Sequence, residues 1–307
     1  MRALRACVAA AATGALALEG GLVRTPVSDL LARRPSQNLV AEIEPRGKAL
    51  RTLCLVCHLD SSRGGLMFHP AFVPHLTRWL LLQSAAGTIQ GGELLLSRGR
   101  VGRWILRICR VILAAGAAVL VERELRGADS PGASDNASGA AVVAEMASEL
   151  AASRLESTRV VVLMTGCEEV GLLGMQSFLR SRDTAGWLFV NVDSVGGPGD
   201  LRYLPREGIV QKWDADPGLV GIADRVAAAD PGIGLRPADG QVGLTYDATA
   251  AMARGGRAIT LVAERGGVIP NYHWPTDTPE NLDLALVAKA LVAARGITAA
   301  VDRGEAG

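Results

Sequence analysis

Residues 160–169 read VVVLMTGCEE, a run of β-branched and aliphatic residues that ends in a glycine, a cysteine and two glutamates. A continuous apolar run of this length, closed by a turn residue, predicts a strand that is buried on both faces. The runs at 53–58 and 187–192 have the same form. Strands of this kind are typical of parallel sheets that helices cover on both sides. This part of the sequence therefore predicts an α/β fold.

Helical patterns alternate with strand patterns along the chain. This alternation predicts a mixed, mostly parallel central sheet sandwiched between helices, in one domain over residues 1–307. We expect the last helix to begin at Pro279, with Asp277 and Thr278 as candidate N-terminal caps. The other predicted elements are strands at 39–43 and 258–263 and helices at 140–152 and 219–229, and the last helix extends to 301.

The composition is that of a globular chain. Apolar residues make up 49% of the 307 residues, and charged residues make up 21%, so the chain has enough apolar surface for a large core. Lys and Arg (32) nearly balance Asp and Glu (31), and we therefore expect no nucleic-acid partner.

The five cysteines are scattered and odd in number, which does not indicate a disulfide framework. Cys54 and Cys57 have the spacing of a redox CxxC motif, but they fall within a predicted strand. Residues three apart on a strand point to opposite faces, so these two sulfurs can neither bridge nor share a metal. A redox function is therefore disfavoured.

The N-terminal residues allow two interpretations. A basic start followed by an apolar run through Leu18 resembles a signal peptide, and residues 15–17 fit the small-residue rule for cleavage. The run is mostly alanine, however, and two glycines follow it, as they would follow a helix. We favour a first helix and a cytoplasmic or membrane-associated location. If residues 1–17 are a signal peptide, the protein is secreted.

Residues 66–128 interrupt the α/β pattern. Two apolar stretches, 72–89 and 104–121, are joined by a connector at 97–103 that is rich in glycine and arginine. We favour a helical insertion packed on the domain. A membrane-surface element or hairpin is the alternative, because a basic amphipathic helix with a wide apolar face suits an anionic bilayer. A conventional span is disfavoured, since central arginines are costly there. The arginines in question lie at helical spacing, at Arg103, Arg107 and Arg110.

Acidic and imidazole side chains follow three of the predicted strands at their carboxyl ends, and two more candidates lie in loops that precede helices. Ligands gather outside the carboxyl ends of parallel strands, so these side chains can converge. Taken singly, each has an ordinary explanation, such as a turn aspartate or a solvated acidic pair. The candidates are His58, Asp60, Asp135, Glu168, Glu169, Asp193 and His273.

Taken together, these residues suit a metal-dependent hydrolase. Two histidines and several carboxylates supply the nitrogen and oxygen ligands that zinc accepts. A water held between two dications about 3.5–4 Å apart is acidified to a hydroxide nucleophile, and a free carboxylate must pass its proton to the leaving amine. Glu168 and Glu169 suit these needs, because neighbours in a tight loop point in different directions. Asp60 is expected to accept the second ring N–H of His58.

The chain resembles the co-catalytic dizinc exopeptidases, the family of bacterial leucyl aminopeptidase, aminopeptidase Y and glutamate carboxypeptidase II. The resemblance covers roughly residues 36–65 and 129–300 and leaves the insertion unmatched. It implies a zinc-exopeptidase, phosphorylase/hydrolase-like fold with two zinc ions per chain. Five motifs that follow in the family's order carry it: HLD (58–60), PGASDNASG (131–139), CEEVGLLG (167–174), NVD (191–193) and YHWPTDT (272–278).

The resemblance also implies roles for the matching residues. Asp135 would bridge the two ions, beside a cis peptide bond to Asn136, and Glu168 would be the general acid/base. The interval from Glu169 to Asp193 is too short for the lid or dimerisation domain of related families, which favours the aminopeptidase branch. The remaining ligands would be His58 and Asp193 for one ion, and Glu169 and His273 for the other.

We therefore expect an aminopeptidase that removes N-terminal residues from peptides. The alternatives are a zinc enzyme of the same fold with glutaminyl-cyclase-like or carboxypeptidase-like chemistry, a non-catalytic binding relative, and a peptidase tethered to a membrane through residues 66–128. The binding relative is disfavoured because the set of ligands and base is complete. One departure leaves the wall of the substrate pocket undefined: Tyr246-Asp247-Ala248 stands where the family's Ser-Asp-His triplet is expected.

Overall fold

The computed structural model describes residues 2–31, 35–96, 99–238 and 244–307, so residues 97–98 of the predicted connector lie outside the described residues. The strands are β1 (Leu39–Ile43), β2 (Arg51–His58), β3 (Thr158–Thr165), β4 (Leu188–Val192), β5 (Asp200–Tyr203), β6 (Arg206–Glu207), β7 (Trp213–Asp214), β8 (Arg236–Pro237) and β9 (Arg257–Glu264). The helices are α1 (Arg2–Gly20), α2 (Pro26–Leu31), α3 (Leu76–Gly91), α4 (Glu93–Leu96), α5 (Arg100–Arg126), α6 (Gly139–Ala152), α7 (Leu173–Ser181), α8 (Pro217–Ala229), α9 (Asp247–Met252) and α10 (Leu284–Asp302).

The central sheet is mixed and mostly parallel, which confirms the predicted fold class. In the described part of the chain its strand order is β1-β3-β2-β4-β9-β5-β8. The four strands β3, β2, β4 and β9 run parallel to one another, so their carboxyl ends meet at one edge. β1 is antiparallel to β3, and β5 is antiparallel to β9.

Helices cover the sheet because its central strands are apolar on both faces. β4 is buried at every position, and β2 is buried from Leu53 to its end. α10 packs against α6 and α8, while α9 packs against α7 and against β9. Cys54 and Cys57 are buried free thiols within this core. The predicted strands and the predicted helices at 140–152 and 219–229 (α6 and α8) agree with the structure to within two residues at each end.

The start of the last helix was predicted wrongly. A short 3-10 turn occupies Pro279–Asn281, and α10 begins only at Leu284. Its N-terminal cap is Asp283, whose carboxylate accepts the backbone N–H of Leu286 at 3.0 Å. The side chain of Asp277 is therefore free to serve the functional site.

Within the insertion, α3 and α5 form a helical hairpin, and most of α5 is not packed on the domain, unlike the packed insertion that the sequence analysis favours. α3 and α5 pack against each other, and α1 packs along α3 rather than on the sheet. Two described helices, α5 and α10, are long and apolar enough to cross a membrane by length and composition alone. They differ in environment: the apolar window of α10 is 44% buried, whereas that of α5 is only 11% buried.

Candidate metal centre

Three predicted site residues meet because their strands are parallel neighbours. His58 ends β2, Asp193 directly follows β4, and Glu169 follows β3 in a tight loop. In the sheet β2 lies between β3 and β4, so these three chain ends open onto the same edge. His58 and Asp193 are 1% and 3% exposed.

Asp135 lies between the two histidines. His58 Nε2 is 3.1 Å from Asp135 Oδ1, and His273 Nε2 is 3.2 Å from Asp135 Oδ2. Each histidine has a second carboxylate beside the same nitrogen: Asp193 Oδ2 at 3.5 Å from His58, and Glu169 Oε2 at 2.9 Å from His273. The five predicted ligands thus form two groups, each with one histidine and one carboxylate, that share Asp135.

The donor set fits zinc. One ligand atom each from His58, Asp135 and Glu169 lie within 4.8 Å of one another. Glu169 Oε1 is also buried without a hydrogen-bond partner among the described residues, so it can accept a cation. Imidazole nitrogens and carboxylate oxygens converging from buried positions are ligands that zinc accepts.

The charges at the centre are strongly coupled. Burial would lower the pKa of His273, but Glu169 and Asp135 raise it to about 9. Burial also opposes protonation of His58, yet the surrounding carboxylates, Asp193 first, raise its pKa well above the usual value. In Asp135, hydrogen bonds from the two histidines outweigh burial and hold the pKa well below its usual range. A dication bound at this place would neutralise the negative charge of the carboxylates, which protons on the histidines neutralise in the metal-free fold.

The loop that carries Asp135 is held from behind by Asp277. Asp277 Oδ1 accepts the N–H of Ser134 at 2.8 Å, and Asp277 Oδ2 accepts the N–H of Asp135 at 3.1 Å. The peptide bond between Asp135 and Asn136 is cis, as the family resemblance implies. Sequence reasoning treated Asp277 as a helix cap and missed this function, although its position four residues after a candidate ligand, His273, was a usable signal.

Asn136 ties the same loop to the end of β4. Its Nδ2 group donates to the carbonyl of Val192 at 3.0 Å, and its Oδ1 atom accepts the N–H of Ser194 at 3.1 Å. The hydroxyl of Ser194 in turn donates to Asp193 Oδ1 at 2.9 Å. The hydrogen bonds of Asn136 and Ser194 therefore position Asp135 and Asp193, the two carboxylates beside His58, relative to each other.

Asp60 contacts a different partner from the one expected. His58 Nδ1 lies 2.9 Å from the backbone oxygen of Asp60, whereas the Asp60 carboxylate is 3.8 Å from that nitrogen, beyond hydrogen-bond range. The carboxylate instead accepts the backbone N–H groups of Glu168 and Glu169, at 3.1 and 3.2 Å. Asp60 therefore fixes the loop of the two glutamates, while its main chain orients the imidazole.

Glu168 lies beside the centre on the side of His58. Its side chain is neither fully buried nor fully exposed. Burial, opposed by His58 and reinforced by Glu169 and Asp193, raises the pKa of Glu168 well above its usual value. A carboxyl group with a raised pKa suits a function in which it must both accept and release a proton.

The backbone is strained at three points around the centre. Cys167, directly before Glu168, has φ 57°, Ser194, directly after Asp193, has φ 52°, and His273 itself has φ 49°. These values lie in the left-handed region, which non-glycine residues rarely occupy and which costs of order 1–3 kcal/mol at each position. The surrounding hydrogen bonds and packing hold these residues in place.

His273 is held by aromatic packing. Its ring stacks on Tyr272 with centroids 3.8 Å apart, and Phe68 packs edge-on against it at 4.4 Å. Its Nδ1 atom is buried and has no hydrogen-bond partner among the described residues. The guanidinium of Arg123, near the end of α5, lies 5.6 Å from the centroid of the Phe68 ring. The helical hairpin therefore begins directly beside the centre.

The Tyr246-Asp247-Ala248 triplet, which differs from the family's expected Ser-Asp-His, lies at the start of α9. Asp247 is fully buried and accepts the hydroxyl of Thr165 at 2.5 Å, and burial raises its pKa to about 7. Tyr246 is 3% exposed, and its hydroxyl has no hydrogen-bond partner in the described part of the chain. Ala248, where the family's histidine is expected, is fully buried. That position therefore does not line an open pocket.

The fold is shared with solved exopeptidase structures. An aminopeptidase from Aneurinibacillus sp. strain AM-1 matches with TM-score 0.54 and 18% identity over 86% of this chain and 47% of its own. A zinc aminopeptidase from Bacillus subtilis matches with TM-score 0.53 and 17% identity, over 86% of this chain and 49% of its own. A glutaminyl cyclase from Bacteroides thetaiotaomicron, solved with N-acetylhistamine, matches with TM-score 0.54 and 15% identity over 85% and 76%. The chain thus spans about half the length of the two aminopeptidases.

The fold is α/β, and the histidines and carboxylates at its strand ends form a cluster that could hold a metal ion. The sequence model of peptidase family M28 matches residues 117–296, more than half of the chain, and the chain belongs to this family. No curated protein matches the chain in sequence.

Proposed function

We propose that this protein is a zinc-dependent aminopeptidase that binds two ions per chain. The observation that carries the proposal is the position of Asp135, which presents one oxygen to His58 and the other to His273. A carboxylate placed in this way suits a bridge between two cations. Membership of peptidase family M28 and the shared fold of zinc aminopeptidases support the same function.

The residues of the site would have different functions. His58 and Asp193 would hold one ion, Glu169 and His273 the other, and Asp135 both. Zinc at such a site acidifies water and polarises the carbonyl of the scissile peptide bond. Asp277 and Asp60 would keep the ligand loops in place, since groups behind metal ligands commonly set their orientation.

Glu168 would be the general acid/base of the reaction. It is next to a ligand in sequence but is free of the histidine contacts that occupy Glu169. Its raised pKa suits a carboxylate that accepts a proton from water and then passes it to the leaving amine. Peptides with a free N-terminus are the proposed substrates.

A glutaminyl-cyclase-like reaction is the second candidate, because one solved structure of the same fold is a glutaminyl cyclase. Two histidines and two further carboxylates around a shared Asp135 favour hydrolysis at two ions over chemistry at one. Glutaminyl peptides separate the two candidates, since hydrolysis releases glutamine and cyclisation releases ammonia.

The test is an assay of zinc-loaded protein against a panel of aminoacyl p-nitroanilides and glutaminyl peptides. We expect zinc-dependent release of the N-terminal residue, abolished by chelation. Glu168→Gln should keep its zinc and lose about 10²–10⁴-fold in kcat. The matched control is Glu44→Gln, an exposed glutamate far from the centre, which should retain the full rate. Release of ammonia alone, or no turnover of any substrate by protein that binds two zinc ions, would contradict the proposal.

A further inference from the structure

Three helices outside the catalytic core expose a large number of apolar side chains. We call α1, α3 and α5 the helical unit; α1 and α5 both pack on α3. The exposed apolar side chains on this unit are far more numerous than a soluble surface needs. On α1 they include Val8, Leu16 and Leu18, on α3 Leu81, Leu82 and Ile89, and on α5 Val101, Trp104, Ile108, Val111, Leu120, Val121 and Leu125.

The helical unit has one end at the catalytic domain and one end away from it. Near the end of α5, Arg123 donates to the carbonyl of Arg63 at 2.9 Å and to the hydroxyl of Ser62 at 3.2 Å. Directly after α1, Arg254 of the catalytic domain donates to the carbonyl of Val23. The short helix α4, which begins at Glu93 just after α3, lies at the opposite end of the hairpin.

The three helices have charge-free segments of similar length. These segments are 6–18 in α1, 79–91 in α3 and 111–121 in α5. At 1.5 Å per residue they are about 16 to 20 Å long. Charged residues border them at both ends, and the long apolar stems of arginine can extend such a belt towards the headgroups. The charge-free belt alone covers about half to two thirds of the roughly 30 Å hydrocarbon layer of a bilayer, and the arginine stems and a locally thinner bilayer would have to supply the rest.

The arginines of α5 lie in its distal half and not at the middle of the belt. Arg110 pairs with Glu93 at 2.8 Å, and the guanidinium of Arg107 lies over the ring of Trp104 at 5.8 Å. Positive charge and tryptophan at one end of a hydrophobic belt are typical of the lipid headgroup region. The cost of central arginines, which argued against a span from the sequence, therefore does not apply to this arrangement.

Four polar side chains within the belt have hydrogen-bond partners inside the helical unit, whereas the Oε1 atom of Gln90 is buried without one among the described residues. The hydroxyls of Ser84 and Thr88 donate to backbone carbonyls one turn earlier in α3, each at 2.9 Å. Gln83 donates to the carbonyl of Ile112 in α5, and Thr13 of α1 donates to the carbonyl of Gly87. Helices in a bilayer require such internal partners because the hydrocarbon offers none.

A helix that lies flat on a membrane keeps a polar face towards water. Residues 111–121 of α5 have no polar side chain on any face, and seven of these eleven residues are exposed. We propose that the helical unit is embedded in a lipid bilayer as a membrane anchor, with the arginine-bearing end at the headgroups. Because Arg123 at its base contacts Phe68, and Phe68 packs on His273, the metal centre lies beside the membrane surface.

The first test is flotation of the purified full chain with vesicles of an equimolar mixture of phosphatidylglycerol and phosphatidylcholine. Wild-type protein should float with the vesicles and remain bound after an alkaline carbonate wash. Val111→Glu combined with Leu120→Glu should reduce the floating fraction by at least about tenfold, since buried charges are costly in hydrocarbon. These residues are 70% and 52% exposed, so the change leaves the catalytic core intact.

The matched control is Leu50→Glu combined with Val210→Glu, two exposed apolar residues (65% each) of the catalytic domain, and it should float like the wild type. Wild-type protein that stays at the bottom of the gradient, or that binds only membranes containing other proteins, overturns the anchor. So does a Val111/Leu120 variant that floats unchanged.

A second readout does not depend on how the charged variant folds. Brominated phospholipids quench tryptophan fluorescence on contact, and Trp104 is 62% exposed on α5. The quenched fraction should fall in Trp104→Phe and fall further when Trp79 of α3 is also replaced by phenylalanine. Equal quenching in wild type and variant would contradict insertion. Neither experiment measures catalysis, so their failure is distinct from failure of the proposed aminopeptidase function.

Discussion

Asp277 fixes the main chain of Asp135: its Oδ2 atom accepts the backbone N–H of Asp135 at 3.1 Å, across 142 positions of sequence. The proposed bridging ligand therefore depends on a carboxylate that need not touch a cation. The hydrogen bonds behind metal ligands commonly change metal affinity by 10- to 100-fold.

The first prediction concerns this contact. Asp277→Ala removes both acceptors from the loop of Asp135, and we expect zinc affinity to fall by about 10- to 100-fold. Competition with a coloured chelator measures this directly. Glu280→Gln, an exposed change three residues away, serves as the control and should bind zinc as the wild type does. Unchanged affinity in Asp277→Ala would show that the loop holds its shape without this carboxylate.

The second prediction concerns Asp60. It tests whether the carboxylate of Asp60 positions the proposed base, Glu168, or the ligand His58. Asp60→Asn replaces one of the two oxygens that accept the N–H groups of Glu168 and Glu169 with an amide that cannot accept. We expect kcat to fall by about 10- to 100-fold while His58, held by the main-chain oxygen of residue 60, still binds zinc. Steady-state kinetics with zinc analysis of the same sample tests this. Loss of zinc in step with kcat would assign Asp60 to the ligand His58 instead.

The third prediction follows from the pKa of His273, which is raised to about 9 in the metal-free fold against an ordinary value of 6.5. A raised histidine pKa stabilises the fold fully below 6.5, and this contribution is lost as pH rises to 9. The metal-free protein should therefore lose stability between pH 6.5 and 9. Urea unfolding at several pH values measures it.

His273→Gln is the control for the pH experiment, and its stability should change less over that window, because only the contribution of His58, whose pKa is also raised, remains. Asp247, whose pKa is raised to about 7, adds a loss of stability mainly below pH 7 and is present in both proteins. Equal slopes for wild type and variant between pH 7 and 9 would exclude His273 as the origin.

The fourth prediction concerns the aromatic support of His273. Phe68 is 5% exposed and packs edge-on against the imidazole, so Phe68→Ala should lower the free energy of unfolding by about 3 kcal/mol. Zinc affinity should fall as well, since His273 loses a wall that holds its ring. Phe72→Ala, at 45% exposure, is the matched control and should change stability by less than about 0.5 kcal/mol. A stable Phe68→Ala protein with full zinc affinity would contradict this role.

The sequence by itself determined the sheet and the residues at its edge. Apolar runs such as 160–165 encode buried strands locally. Parallel strands bring their carboxyl ends to one side of the sheet, so the sequence alone predicts that His58, Glu169 and Asp193 meet there. Asp135 and His273 were predicted as further ligands because their motifs occur in the order that the family resemblance implies.

Only the tertiary structure decided which groups hold these residues in place and where the insertion lies. Asp277 was expected to cap a helix, Asp60 was expected to contact the ring of His58, and α5 was expected to pack on the domain. Each of these depends on how loops or helices far apart in sequence are placed relative to one another, and local periodicity carries no information about that placement. A strand's burial is set by its own side chains, whereas the partner of a carboxylate is set by the whole fold.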